Sequence, residues 1–377
     1  MSPAPASTST IPVLGSLSPV ARVAILATLG LSAVAAILDL VVHVEGGLVF
    51  VVAAVAILGL AWMVGLSTER LGALTGPQVG GILNATFGNI AELIIAFFAL
   101  QAGLIDVVKA SITGSIIGNL LLVLGAAMLA GGLRNGLQSF SPRIAGSNAA
   151  LLVLAAAGLF IPAVFAASGV ESEGVRVEES VLVALVLMAG YALSLVWQFT
   201  NPERTLGGHE ASEGHAGPAW SMRTAVGVLV VTAAVLAVLS EILVGSIEPF
   251  IEQFGLSELF VGVILIPTIG NLAEHLVAVQ LAWKNRMEFS LAVSFGSSLQ
   301  VALFVAPVLV LLGVVVGQPM DLVFQPLEIA AVAVAVGISA LVALDGESNW
   351  LEGALLMLVY LIIAISFFEL RLPAAPL

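Results

Sequence analysis

Two carboxylates stand in this chain where charge is hardest to accommodate. Glu92 closes the run Gly88-Asn89-Ile90-Ala91-Glu92, and Glu274 closes Gly270-Asn271-Leu272-Ala273-Glu274, each inside a stretch apolar enough to cross a bilayer. An ionisable side chain in hydrocarbon is costly, and where one occurs it marks an ion path, a proton relay or a substrate site. Each run joins a carboxylate to an amide oxygen and to a glycine, which loosens a helix. Carboxylate, amide and backbone oxygens, with water, are what a hard cation such as Ca2+ takes, about six to eight at a time. Ser115, Ser297 and Gln300, on the spans after the two runs, can add oxygens or hydrogen bonds to that set.

The same pair explains how protons would enter. Two carboxylates sharing a low-dielectric site cannot both ionise cheaply, so one keeps a proton until a divalent cation displaces it. Cation and protons then compete for one site, the minimum that antiport requires. His275, directly after Glu274, has no counterpart in the first run, where Leu93 stands. It reads equally as a proton acceptor and as a side chain turned to a neighbouring helix. Glu69 and Glu248 precede the two motif carboxylates by 23 and 26 residues and are candidates for cation access or gating. Glu241, seven residues before Glu248, falls on nearly the same helical face and reads equally as part of that path and as a satisfied interior carboxyl. Asp39 and Glu328 stand near span ends and read as interfacial. Nothing resembles a repeated selectivity filter, and no His-Glu-x-x-His run suggests a metalloenzyme.

Such carboxylates need a frame of helices around them. Of 377 residues, 60% are hydrophobic and 9% charged, with a mean hydropathy of +1.16, more apolar surface than a water-soluble domain can hide. The solvent must be lipid. Eleven stretches have the roughly 20 apolar residues that a crossing helix needs: 22–43, 47–67, 80–101, 108–131, 144–167, 178–200, 222–246, 257–281, 289–313, 324–344 and 350–369. The expected fold is therefore an all-α integral membrane protein. The absence of cysteine excludes disulfides, thiolate metal sites and thiol nucleophiles, and a net charge of −13 argues against nucleic acid as a partner. Residues 1–20, rich in Ser and Pro and without positive charge, read as a disordered tail. Pro202 to Ala219, with Glu203, His209, Glu210, Glu213 and His215, reads as a solvated linker in preference to a regulatory cation site.

The two runs belong to a longer internal repeat. Gly80–Glu92 aligns with Gly262–Glu274 without gaps, and in each copy 22 residues separate the Glu from a Gly-Ser pair, Gly114-Ser115 and Gly296-Ser297. The motif spans are the third and the eighth, and an odd offset means that the copies enter the membrane from opposite sides, an inverted repeat with its site at the repeat interface. The expected architecture is one N-terminal helix (21–45), a five-helix repeat (46–201), a linker (202–220) and a second five-helix repeat (221–377). Gly88, Gly270 and Pro267 predict helices locally opened at the motifs. Loops on the N-terminal side would hold Arg22, Arg70, Arg134, Arg143, Arg204, Arg223, Lys284 and Arg286. The other side would hold only Lys109, Arg176 and Arg371. Eight against three places the N-terminus in the cytoplasm and the C-terminus outside.

At these residues the chain resembles the cation/proton exchanger family, the Ca2+/H+ antiporter branch of the calcium/cation antiporter superfamily. Asn84-Ala-Thr-Phe-Gly-Asn-Ile-Ala-Glu92 is similar to the family's first motif. Gly270-Asn-Leu-Ala-Glu274-His275, with Gly296-Ser297-Ser298-Leu299-Gln300, is similar to its second. The resemblance implies an alternating-access exchanger of cytosolic Ca2+ for external protons, with those two ions and the lipid bilayer as partners and no further cofactor. It implies that Glu92 and Glu274 are the exchanging carboxylates, completed by the oxygens of Gly88-Asn89 and Gly270-Asn271. Ser297 and Gln300 match the family's polar pair on the next helix. Ser115 matches in the first copy, but Gly118 stands where a second Ser is often found. Oxygen sites accept several divalent ions, so Mn2+ and Na+-coupled exchange stay open within the class. The short chain, without a long N-terminal extension, suits a bacterial inner-membrane protein.

Overall fold

The computed structural model describes residues 17–44, 46–76, 80, 83, 86–169, 172–201 and 220–370. Most of the expected tail and linker, with their acids and histidines, and part of the expected third span including Asn84, lie outside the described residues. The helices are α1 Pro19–Leu40, α2 Gly47–Thr75, α3 Ile90–Gln101, α4 Ile105–Asn135, α5 Pro142–Ala167 and α6 Glu173–Thr200. They continue as α7 Met222–Gly245, α8 Ile247–Phe254, α9 Glu258–Trp283, α10 Met287–Val316, α11 Pro326–Val342 and α12 Trp350–Glu369. Among the described residues nine helices are long and apolar enough to cross a membrane, while α3 and α11 are apolar but shorter. The all-α membrane fold is present, and the eleven-span count holds approximately.

Local sequence sets where the helices begin. Ser18, Ser141, Ser221 and Ser257 cap α1, α5, α7 and α9 by accepting a backbone N–H from within the first turn, which satisfies a donor that has no helical partner. Proline opens α1, α5 and α11, where its missing N–H costs no hydrogen bond. Outward faces are apolar: α6 exposes Leu182, Leu185, Val186, Leu193 and Val196, a surface that suits acyl chains and not water.

Contacts between distant parts of the chain fix the threading. At one end of the bundle Asn135 and Gln138 donate to the Ala282 carbonyl at the close of α9. There also a two-residue ladder, β1 (Gln138–Ser139) with β2 (Glu347–Ser348), joins the α4–α5 and α11–α12 connections. At the other end Gln253 of α8 accepts from the Gly47 N–H that opens α2, at 2.6 Å, and Ser257 donates to the Phe367 carbonyl near the close of α12. Taken together, these pairs fit long helices that alternate in direction. Because α8 stays at one end, stacked through Phe250 on Phe50 of α2, it leaves the parity intact, and α3 and α9 run antiparallel.

At the centre lies α4, buried without interruption from Ala110 to Leu121. Small residues let its neighbours approach. A methyl at Gly114 would strike the Val263 carbonyl and the Pro267 ring of α9, and one at Gly262 would strike Ala110, a close-packed seam of the kind that joins helices in lipid.

Three expectations are corrected, and two features are new. The short β ladder and the eight-residue α8 were not foreseen. Glu241 and Glu248 do not share a helical face, because α7 ends at Gly245 and Glu248 belongs to α8. Glu328 is not interfacial but 1% exposed, enclosed by contacts that α11 makes with α4. The chain does open at Gly88-Asn89, a turn that precedes α3. Through Gly270, however, α9 remains α-helical, and it loosens earlier, in a π-helical stretch at Val261–Leu265. Pro267 falls just after that stretch, and the wider π-helical turn accommodates its missing donor.

Candidate cation site

The two halves exchange hydrogen bonds at the centre of the bundle. Asn89, the residue before α3, donates from Nδ2 to Gln300 Oε1 of α10 at 2.6 Å, and its Oδ1 accepts from Ser297 at 2.9 Å. Asn271 of α9 donates to Ser115 of α4 at 3.2 Å and to the Pro267 carbonyl at 3.1 Å. Each motif amide thus reaches into the opposite repeat, and Asn89, Asn271, Ser115 and Ser297 are all buried.

The exchange is not symmetric. At 182 residues' offset Ser297 matches Ser115, but Gln300 matches Gly118, which has no side chain to offer. Asn89 therefore has both amide atoms engaged, whereas Asn271 Oδ1 is buried without a hydrogen-bond partner. Glu92 Oε2 and Glu274 Oε2 are buried and unpartnered as well. An unsatisfied buried acceptor costs about 1–3 kcal/mol, more when charged. Three in one region form a set of oxygens that a cation or protons would satisfy. Glu92 lies directly over Gly270 of the other repeat, where an added Cβ would stand 3.0 Å from its Cγ and 3.2 Å from Oε1. Glu274 is close enough to Glu92 for the two carboxyl groups to interact. A cleft of about 10 Å³ leads off from Glu92 between Ser111, Ser115, Pro267 and Val301, space for about one water molecule.

Two features of the site went unread in the sequence. Asn119 donates to Ser297 at 3.0 Å and completes the chain Asn119–Ser297–Asn89–Gln300; a buried amide beside the noted Gly118 was the available signal. The second feature is a pair of π-helical stretches, Gly118–Val123 in α4 and Val301–Val305 in α10, that follow the two site serines at matching places. Such a stretch shifts the helix's facing residues and frequently marks a functional site.

The remaining candidates lie around this centre. Gly88 forms the turn before Asn89. His275 is half-buried and starts about 100° round α9 from Glu274. Glu69, in the last turns of α2, and Glu248, at the start of α8, are exposed; they belong to opposite ends of the bundle and are not brought to the centre. Gly270→Ala is expected to displace the Glu92 carboxylate by a few tenths of an ångström and to weaken cation binding by about 10-fold, a cost of about 1.4 kcal/mol. Calcium titration of the purified variant checks this, and wild-type affinity would contradict it.

Comparison with known proteins identifies the family. A family model described as sodium/calcium exchanger protein matches residues 45–200 and again residues 224–368, once in each half. A protein named Ca2+/H+ antiporter from Synechocystis sp. is 47% identical over 338 residues, covering 85% of this chain and 90% of that one. The Ca2+/H+ antiporter ChaA of Bacillus subtilis is 40% identical, covering 87% and 94%. Among solved structures, native YfkE superposes with a TM-score of 0.79 at 37% identity, over 93% of this chain and all of that one. The H+/Ca2+ exchanger CAX, at 16% identity and a TM-score of 0.70 over 93% of each chain, shares the fold. The chain belongs to the sodium/calcium exchanger protein family.

Proposed function

We propose that this protein is a secondary transporter that exchanges cytosolic Ca2+ for external protons by alternating access, with Glu92 and Glu274 binding cation and protons in competition. The reading is carried by one observation: the unpartnered oxygens of Glu92, Glu274 and Asn271 gather where the two motifs cross. The relatives named as Ca2+/H+ antiporters support the choice of ions. In the cation-free protein, protons relieve the repulsion between the carboxylates. Arriving Ca2+ exchanges them for ionic contacts with Glu92 and Glu274, an oxygen from Asn271, and carbonyls at the Gly88-Asn89 turn. Gln300, Ser297, Ser115 and Asn89 hold these groups in place. No bond of the cargo is made or broken, so the task is transport and not enzymatic catalysis.

His275, beside Glu274, is assigned to the proton path. Glu69 and Glu248 are exposed at the two mouths, where negative charge raises the local cation concentration. The two family matches support the division into repeats at 46–201 and 221–377. In a bacterial inner membrane, the end that holds Arg134, Arg143, Lys284 and Arg286 would face the cytoplasm and the close of α12 the outside.

In proteoliposomes Glu92→Gln and Glu274→Gln are each expected to abolish Ca2+-driven proton movement while the protein still inserts. Wild-type flux in either would overturn the assignment. Orientation is open to labelling, since the chain lacks cysteine: in intact cells an impermeant maleimide should reach Glu252→Cys and not Lys284→Cys. The reverse pattern would invert the topology.

A further inference from the structure

Glu328 is a buried carboxylate that the exchange mechanism does not use. It sits in the first turn of α11, 1% exposed. Its Oε2 accepts from the Gln325 backbone N–H at 2.9 Å, which is helix capping. Its Oε1 does something different, accepting from the Thr113 hydroxyl of α4 at 2.8 Å. Thr113 has carbonyls of its own helix within reach, Lys109 at 3.2 Å and Ala110 at 3.0 Å. A hydroxyl has a single proton, and a carboxylate is the stronger acceptor, so the bond to Glu328 dominates.

One turn back along α4, Lys109 pairs with Asp321 and donates to the Val323 carbonyl at 2.9 Å. The segment leading into α11 is held further by Arg176, 3.6 Å from Asp321, and by Ser180, whose hydroxyl accepts from the Leu322 N–H at 2.8 Å. A polar grip therefore closes on the face of α4 two residues before Ser115. The repeat does not require it. The positions matching Lys109 and Thr113 in α10 are Leu291 and Phe295, and three residues past the cap of α5 stands Ile144 in place of Glu328. The grip ties α4 of the first repeat to α11 of the second, whereas the matching pair, α10 and α5, lacks its residues; α4 is also the helix from which Ser115 alone supports Asn271.

We infer that Glu328 is a positioning residue for transport: through Thr113 it sets the depth and rotation of Ser115, which takes the Asn271 amide N–H and leaves Asn271 Oδ1 for the cation. The inference rests on the reading of Asn271 as a cation ligand. Thr113→Val removes the hydroxyl at nearly constant volume. In proteoliposomes it is expected to raise the KM for Ca2+ about 10-fold, as loss of a ligand's supporting partner typically does. Maximal exchange and melting temperature should stay near wild type, and Thr113→Ser should restore the KM. Should the valine variant fail to insert, Thr113→Ala carries the same expectation. In an Asn271→Ala background, Thr113→Val should change the KM no further, because the two act in series. An unchanged KM with a lowered melting temperature would reduce Glu328 to a helix cap. A full effect in the Asn271→Ala background would show that it does not act through that amide. Unaltered exchange in Glu92→Gln would instead sink the site itself, an outcome separable from both.

Discussion

Buried acceptor oxygens without donors govern this structure. In water such groups are satisfied at once; inside a lipid-embedded bundle each carries its full desolvation penalty until something positive arrives. Glu92, Glu274 and Asn271 each present one such oxygen, and the surrounding amides and hydroxyls are already committed to one another. The site has acceptors to spare and a shortage of donors. On the proposed reading, that imbalance selects for cations and protons and makes the two alternatives for the same oxygens.

The inverted repeat is the means of building it. A single copy would supply one carboxylate and one amide, each pointing away from its own helix pair. Two antiparallel copies bring Asn89 to α10 and Asn271 to α4, and set Glu92 over Gly270. The copies then diverge. Gln300 faces Asn89 where Gly118 would face Asn271, so one amide is a strut and the other keeps a free oxygen. The Thr113–Glu328 contact between the halves likewise has no inverted counterpart. Exact symmetry would satisfy both amides or neither; the substitutions that break it saturate one amide and leave the other an open acceptor.

Much of this was legible in the residues. Hydropathy marks the helices because an apolar run of about 20 residues satisfies its own backbone in lipid as a helix, and the spacing of Gly-Asn-x-x-Glu to Gly-Ser survives in both copies because it measures a helix–turn–helix. What escaped reading depends on contacts far apart in sequence. Glu328 looks interfacial by its distance from a span end, and only the 215-residue contact with Thr113 shows why it is enclosed. The π-helical stretches lie largely in runs of Val, Leu and Ala, where no residue type announces an extra residue per turn. Gly270 was read as a helix breaker, yet its lack of a side chain serves the close approach of Glu92.

The central claim is that cation and protons occupy the same carboxylates. Calorimetric titration of the purified protein with Ca2+, repeated in buffers of different ionisation enthalpy, counts the protons expelled as the cation binds. Competition requires release of protons with each Ca2+, and an affinity that falls as the solution is acidified. Binding with no proton release, at one affinity across that range, would contradict it.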